Sequence, residues 1–226
     1  MRCLEISRAR RVNGFAPSSL PSLNGAMIDQ ADAEPRRRLG GICLIAAPLL
    51  LFVADLFQVF SGYGFVWTTI DWVAFVFFIP AALALGHVTR PQCNLLGLVG
   101  SGCVIVGAMA AAQTIALFRI RGVLLHGVPG LPADTLQRIF KADPRLFLTI
   151  FPLGLFFSTG LILLGLALLR TGRFGLVAPV LLALGGLIFP FGHAAGVAAG
   201  LFAGDLLLLI GMSWLGQRIL TEPGAW

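Results

Sequence analysis

A few side chains stand out because they combine ionisable or hydrogen-bonding chemistry with apolar surroundings. Asp205 lies near the middle of the apolar run 193–215, with no charged neighbour in sequence. A charged carboxylate at the centre of a bilayer costs about 2.5–3.5 kcal/mol on insertion scales, so such a residue faces other helices or carries a proton. Two readings follow: a proton or cation site, or a protonated Asp bonded to a facing Ser, Thr or Gln as helix glue. Asp55 and Gln58 stand three residues apart on one face of the first apolar run, Gln113 and Thr114 fall toward the outer end of the third, and His193 opens the sixth. Asp55, Gln58, Gln113, His193 and Asp205 are therefore expected to line a polar cavity open to the outside, with Arg119 or Arg145 as counter-charges at its rim. The plainer alternative leaves Asp71 and His193 as wetted interface residues.

These residues need elements to position them, and composition says which. Of 226 residues 58% are hydrophobic and 12% are charged, about half the charge of a soluble domain. Apolar runs of 18 residues or more account for the deficit, since each can cross a hydrocarbon core of roughly 30 Å. The expected fold is all-α, a polytopic membrane bundle of about six transmembrane helices over 39–60, 67–88, 95–118, 146–169, 174–189 and 193–215, within a domain covering 39–216. Residues 1–38 read as a disordered Arg-rich tail and 217–226 as a short second tail. Met27 precedes a second plausible beginning, which leaves open whether 1–26 belong to the protein. Pro190–Gly192 reads as a tight turn between the fifth and sixth spans. Between the third and fourth, Asp134 and Gln137 form a capping-box-like start. Leu136, Ile139 and Phe140 then share a face, giving a short amphipathic helix in the membrane interface.

The net charge of +6 comes from 15 Arg and Lys141. Most flank the apolar runs, where basic residues set orientation, and no aromatic-interleaved basic face suggests nucleic acid. Both termini in the cytoplasm places eleven basic residues inside and five outside. The implied location is a bacterial plasma membrane, with the lipid bilayer as the main partner. Cys3, Cys43, Cys93 and Cys103 show no CxxC pair and no zinc spacing. His87 and His193 fall on opposite sides and cannot share a haem iron, and no cofactor is expected. No P-loop, dinucleotide fingerprint, HExxH or GxSxG motif occurs.

Gly192, Gly196, Gly200 and Gly204 recur every four residues, a spacing that lines one helical face and lets another helix approach closely. A homo-oligomer or membrane partner could use that face of the sixth helix. The stretches RRRLGGICLIAAPLLL at the first span and LILLGLALLRTGRF over 161–174 resemble a loose group of uncharacterised six-helix bacterial membrane proteins, a resemblance that implies fold and location only. His193 with Gly196 and Gly200 is also similar to the HxxGxxxG pattern of rhomboid proteases, which would make Ser158 the nucleophile. The sequence departs from that family: FFSTG replaces GxSG, the long first loop is about six residues, and Ser158 and His193 differ in depth by roughly 15–20 Å at 1.5 Å per residue. The leading expectation is a non-enzymatic packing or partner-type membrane subunit. The alternatives are a small proton-coupled carrier using Asp205 and Asp55, and an intramembrane serine protease.

Overall fold

A computed structural model describes residues 23–61, 64–127, 138, 144–195, 198–222 and 226. Every element among them is helical: α1 (Leu23–Ser61), α2 (Phe65–Gly127), α3 (Pro144–Thr171), α4 (Val177–Ala195) and α5 (Ala198–Thr221). The chain divides into Met1–Glu34 and Pro35–Trp226, and the packing described below lies within the second unit. Five stretches are long and apolar enough to cross a membrane: Ala33–Phe60, Phe65–Arg90, Leu95–Leu117, Gly154–Thr171 and Ala198–Thr221. Val177–His193 is a shorter apolar helix. By length and composition these are the helices of a multi-pass membrane protein.

The outer surface agrees with that reading. Leu39, Ile42, Leu49 and Phe57 on α1, Leu98, Val106 and Met109 on α2, and Leu206, Ile210 and Trp214 on α5 are all exposed. Water-soluble monomers rarely expose apolar patches beyond a few hundred Å², whereas acyl chains accept such a surface without penalty. Inside, Phe157 of α3 joins Phe75 and Phe78 of α2 to Phe189 of α4, with ring centroids 5.3, 4.8 and 5.4 Å apart.

Glycines set how closely the helices approach. α2 is two arms joined at Cys93, whose φ of −137° and ψ of 50° leave the helical region two residues after Pro91. The second arm runs antiparallel to α3 through a seam in which backbone meets backbone. A Cβ at Gly107 would stand 2.5 Å from the Phe157 Cα, and one at Gly160 would stand 2.5 Å from the Val104 nitrogen. α3 turns into α4 through Gly172 and Gly175, with φ of 66° and 69°, left-handed values that glycine adopts without strain. α5 then closes the bundle against α1. Gly41 meets Leu220 and the Gly216 carbonyl, the Phe52 and Phe202 rings meet edge-on at 5.9 Å, and the Arg37 guanidinium donates to the carbonyls of Ile219 (2.7 Å) and Leu220 (2.9 Å). Those carbonyls belong to the last turn of α5, where a helix leaves its final carbonyls without intrahelical N–H partners.

Several boundaries differ from the sequence expectation. Helix begins at Leu23 rather than near 39, because good helix formers such as Ala26, Met27, Gln30 and Ala31 precede an apolar helix that has already met the cost of nucleation. Residues 1–22 of the expected tail lie outside the described residues. α2 runs on to Gly127, past the expected end at 118, and the expected interfacial helix falls outside the described residues except for Arg138. The largest correction concerns Pro190–Gly192, which is helix and not turn: α4 continues to Ala195. In lipid a broken helix leaves backbone groups without partners, so helices persist through Pro and Gly that would end them in water.

That shift also dissolves the single glycine stripe. Gly192 belongs to α4 and Gly200 and Gly204 to α5, while Gly196 lies outside the described residues. They meet across the helix pair: a Cβ at Gly192 would stand 2.6 Å from the Gly200 carbonyl carbon, and one at Gly204 would stand 3.1 Å from the Phe189 Cα. Gly211 packs on Ala178 and Leu182 in the same way.

Candidate functional site

Four elements bring acid–base side chains together at one end of the bundle. α1 supplies Asp55, the first arm of α2 supplies Asp71, α4 supplies His193 and α5 supplies Asp205. Asp55, Asp71 and Asp205 are 1%, 6% and 0% exposed. Asp71 lies within Coulombic reach of both Asp55 and Asp205, and the carboxyls of Asp55 and Asp205 are in hydrogen-bonding range of each other. Among the described residues, no N–H or hydroxyl serves Asp55 Oδ2, Asp71 Oδ1 or either oxygen of Asp205. What faces Asp205 is the carboxyl of Asp55.

The base in contact with this group is His193, whose Nε2 stands 3.6 Å from Asp55 Oδ2. Its Nδ1 is 3.1 Å from the carbonyl of Phe189, one turn back on α4. The Phe189 ring lies 4.1 Å from the imidazole, centroid to centroid, and steadies it from the side. The His193 side chain is 36% exposed, so the imidazole bridges the bundle surface and the buried carboxylates.

Depth follows from the helix ends. Asp55 lies five residues before Phe60, Asp71 six after Phe65 and Asp205 seven after Ala198, which at 1.5 Å per residue is about 8, 9 and 10 Å inward. The cluster therefore sits about a third of the way into a hydrocarbon core of roughly 30 Å. Asp205 is not at the centre of its helix as the sequence suggested, because α5 extends beyond the expected end at 215 to Thr221. Gly192 packs against Gly200, so His193 stands about a turn and a half nearer the helix ends than Asp205.

Of the five residues expected to share a cavity, Asp55, His193 and Asp205 converge. Gln58, one turn beyond Asp55, is half-buried, and Gln113 is exposed on the second arm of α2. The Thr114 hydroxyl donates within its own helix to the Ala110 carbonyl at 2.9 Å. Arg119 lies 4.0 Å over the Phe65 ring and borders a groove of about 170 Å³ with Thr68, Trp72, Ile115 and Ala116. The Arg145 side chain lies outside the described residues.

For Asp71, interfacial water is the plainer of the two sequence readings; the structure instead buries it, within Coulombic reach of Asp55 and Asp205. The signal for it was present in the sequence. Asp55 and Asp71 lie at nearly equal distances on either side of the six-residue break between the first two apolar runs, and antiparallel helices with a short connection place such residues at one depth.

Ser158 is buried at the level of Gly186, whose added Cβ would meet the Ser158 carbonyl oxygen at 3.1 Å. That is two turns of α4 away from His193. Both imidazole nitrogens of His193 are directed elsewhere, so His193 is not positioned as a base for the serine. His87 stacks on Trp226 at 4.7 Å, at the end of the bundle opposite His193. Among the described residues, no group of three His, Cys, Asp or Glu side chains converges at metal-ligand geometry. No protein-family model, curated protein or solved structure matches the chain.

Proposed function

We propose that this is a small proton-coupled membrane carrier whose coupling proton is held by Asp55, Asp205 and Asp71, with His193 beside them. The observation that carries the reading is the burial of Asp55 beside Asp205 on separate helices, with the buried Asp71 of a third helix within Coulombic reach of both. Full charges on all three, out of water, repel one another and forgo hydration. A proton shared between carboxyls relieves both costs, and a site that must hold a proton can couple its release to another event. Helix glue needs one acid and one neutral partner; here the partner of an acid is a second acid.

The same reading assigns six spans, since the 17 residues of Val177–His193 match the lower end of what crosses a bilayer, about 17 residues. With the excess of basic residues inside, both termini are cytoplasmic and the carboxyl cluster opens to the outer face of a bacterial plasma membrane. A partner subunit docking through α5 loses its motive, because the glycines of that helix contact α4 and α1 of the same chain.

The test has two stages. Infrared spectroscopy of the purified protein at neutral pH should show a protonated carboxylic C=O stretch that disappears in Asp205→Asn. Proteoliposomes loaded with a pH-sensitive dye should then report proton movement when the transported solute is added from a panel of ions and small metabolites, and Asp205→Asn should abolish it. A spectrum with carboxylates only would refute the proton site.

A further inference from the structure

We infer that His193 is the proton port of the cluster, an imidazole that swings between water and Asp55. This rests on the proposed proton site and assigns the route by which that site fills and empties. The argument begins with the tautomer. A carbonyl oxygen only accepts hydrogen bonds, so the 3.1 Å contact with Phe189 commits Nδ1 as the N–H donor. Nε2 of the neutral ring then carries a bare lone pair, and it is the atom directed at Asp55 Oδ2. Two lone pairs facing each other at 3.6 Å form a stable arrangement only when a proton lies between them, on the imidazole or on the carboxyl.

Nε2 must therefore take the proton from water and also give it to Asp55. The separation is longer than a hydrogen bond, which ends near 3.2 Å for such pairs, so the ring is not locked onto Asp55 and closes on it by a small side-chain rotation. Exposure supplies the other half of the cycle. The His193 side chain is 36% exposed and Asp55 only 1%, so the carboxyl meets water through the imidazole. In the outward position Nε2 accepts a proton and the ring becomes imidazolium; in the inward position the N–H bond breaks, the O–H bond forms on Asp55, and the ring returns neutral. Asp205, deeper by about a turn and a half, shares that proton with Asp55. Among the described residues, the ionisable groups facing this path are Asp55 from α1, Asp71 from the first arm of α2, His193 from α4 and Asp205 from α5; Arg119, from the second arm of α2, lies over the Phe65 ring at the same end, and Arg170, on α3, lies at the opposite end of the bundle.

The experiment follows deuterium exchange of the carboxylic C=O band after rapid mixing of the full-length protein with D₂O. His193→Gln is expected to keep the band and slow its exchange about a hundredfold, the low end of what a positioned proton-transfer group contributes. In His193→Ala, imidazole added to the buffer should restore the rate, which a purely structural role would not produce. A measurement without substitution guards against misfolded variants: carbethoxylation of the wild-type protein with diethyl pyrocarbonate should slow exchange comparably, and hydroxylamine should reverse it. Unchanged exchange after carbethoxylation or in His193→Gln, or failure of imidazole rescue, overturns the port. Absence of the carboxylic band from the wild-type protein overturns the proton site itself.

Discussion

Replacing Gly107 with Ala adds one methyl group where the structure has no space for it. The new Cβ would lie 2.5 Å from the Phe157 Cα and 2.6 Å from its Cβ, while ordinary contact begins near 3.4 Å. The obstacle is backbone on a packed helix, so no rotamer change relieves it, and the second arm of α2 must move away from α3 by close to 1 Å. Over-packing of this kind typically costs 1–3 kcal/mol. Displacing Phe157 also disturbs its edge contacts with Phe75 and Phe78, which places the expected loss in the upper part of that range, about 2–3 kcal/mol. Gly102 supplies the control. It lies on the same arm, a Cβ there meets nothing within 4 Å, and Gly102→Ala should be neutral or gain up to about 1 kcal/mol from helix propensity. Unfolding in mixed micelles titrated with SDS, followed by circular dichroism, measures both variants. Equal stability of the two would refute the close α2–α3 seam.

Two further outcomes follow from the other end of the bundle. Arg37→Ala should destabilise the protein by about 1–3 kcal/mol in the same titration, because it strips the guanidinium from two carbonyls at the end of α5 and leaves them without that donor. Cys93, half-buried at the kink beside Arg90, should react with a membrane-impermeant maleimide in a Cys3→Ser background, whereas Cys43, 1% exposed, should not. Labelling of Cys93 only in inside-out vesicles would fix the orientation proposed above, and labelling only in right-side-out vesicles would reverse it.

The membrane-spanning helices were legible because a run of twenty apolar residues has few other physical uses. Their ends were less so. Pro190 and Gly192 signal a turn under the rules of aqueous chains, and lipid overrides those rules by leaving a broken backbone nothing to bond. That one misreading moved His193 from the start of one helix to the end of another, yet kept it near Asp55. Asp55 and Asp205 were readable as isolated carboxylates in apolar runs. Asp71, only about four residues into the expected span 67–88, reads most plainly as wet, since sequence does not say how far neighbouring helices reach past it. The glycine signal pointed at the four-residue repeat of 192–204, while the backbone-to-backbone seam of α2 and α3 runs through Gly100, Gly107 and Gly160, which show no such repeat. Their partners lie on different helices, and pairing across helices is invisible to a periodicity within one.

The closure of α5 against α1 has a consequence for how the chain is made. Asp55 and Asp71 leave the ribosome early, as a hairpin carrying two acids into the bilayer. Asp205 and His193 emerge more than a hundred residues later. Throughout that interval the early hairpin holds acidic groups whose companions have not been synthesised, so a chain stalled before α5 carries an exposed polar defect in the lipid. Burial of Asp55 and Asp71 therefore waits on the last helix of the chain, and only the finished molecule closes the defect.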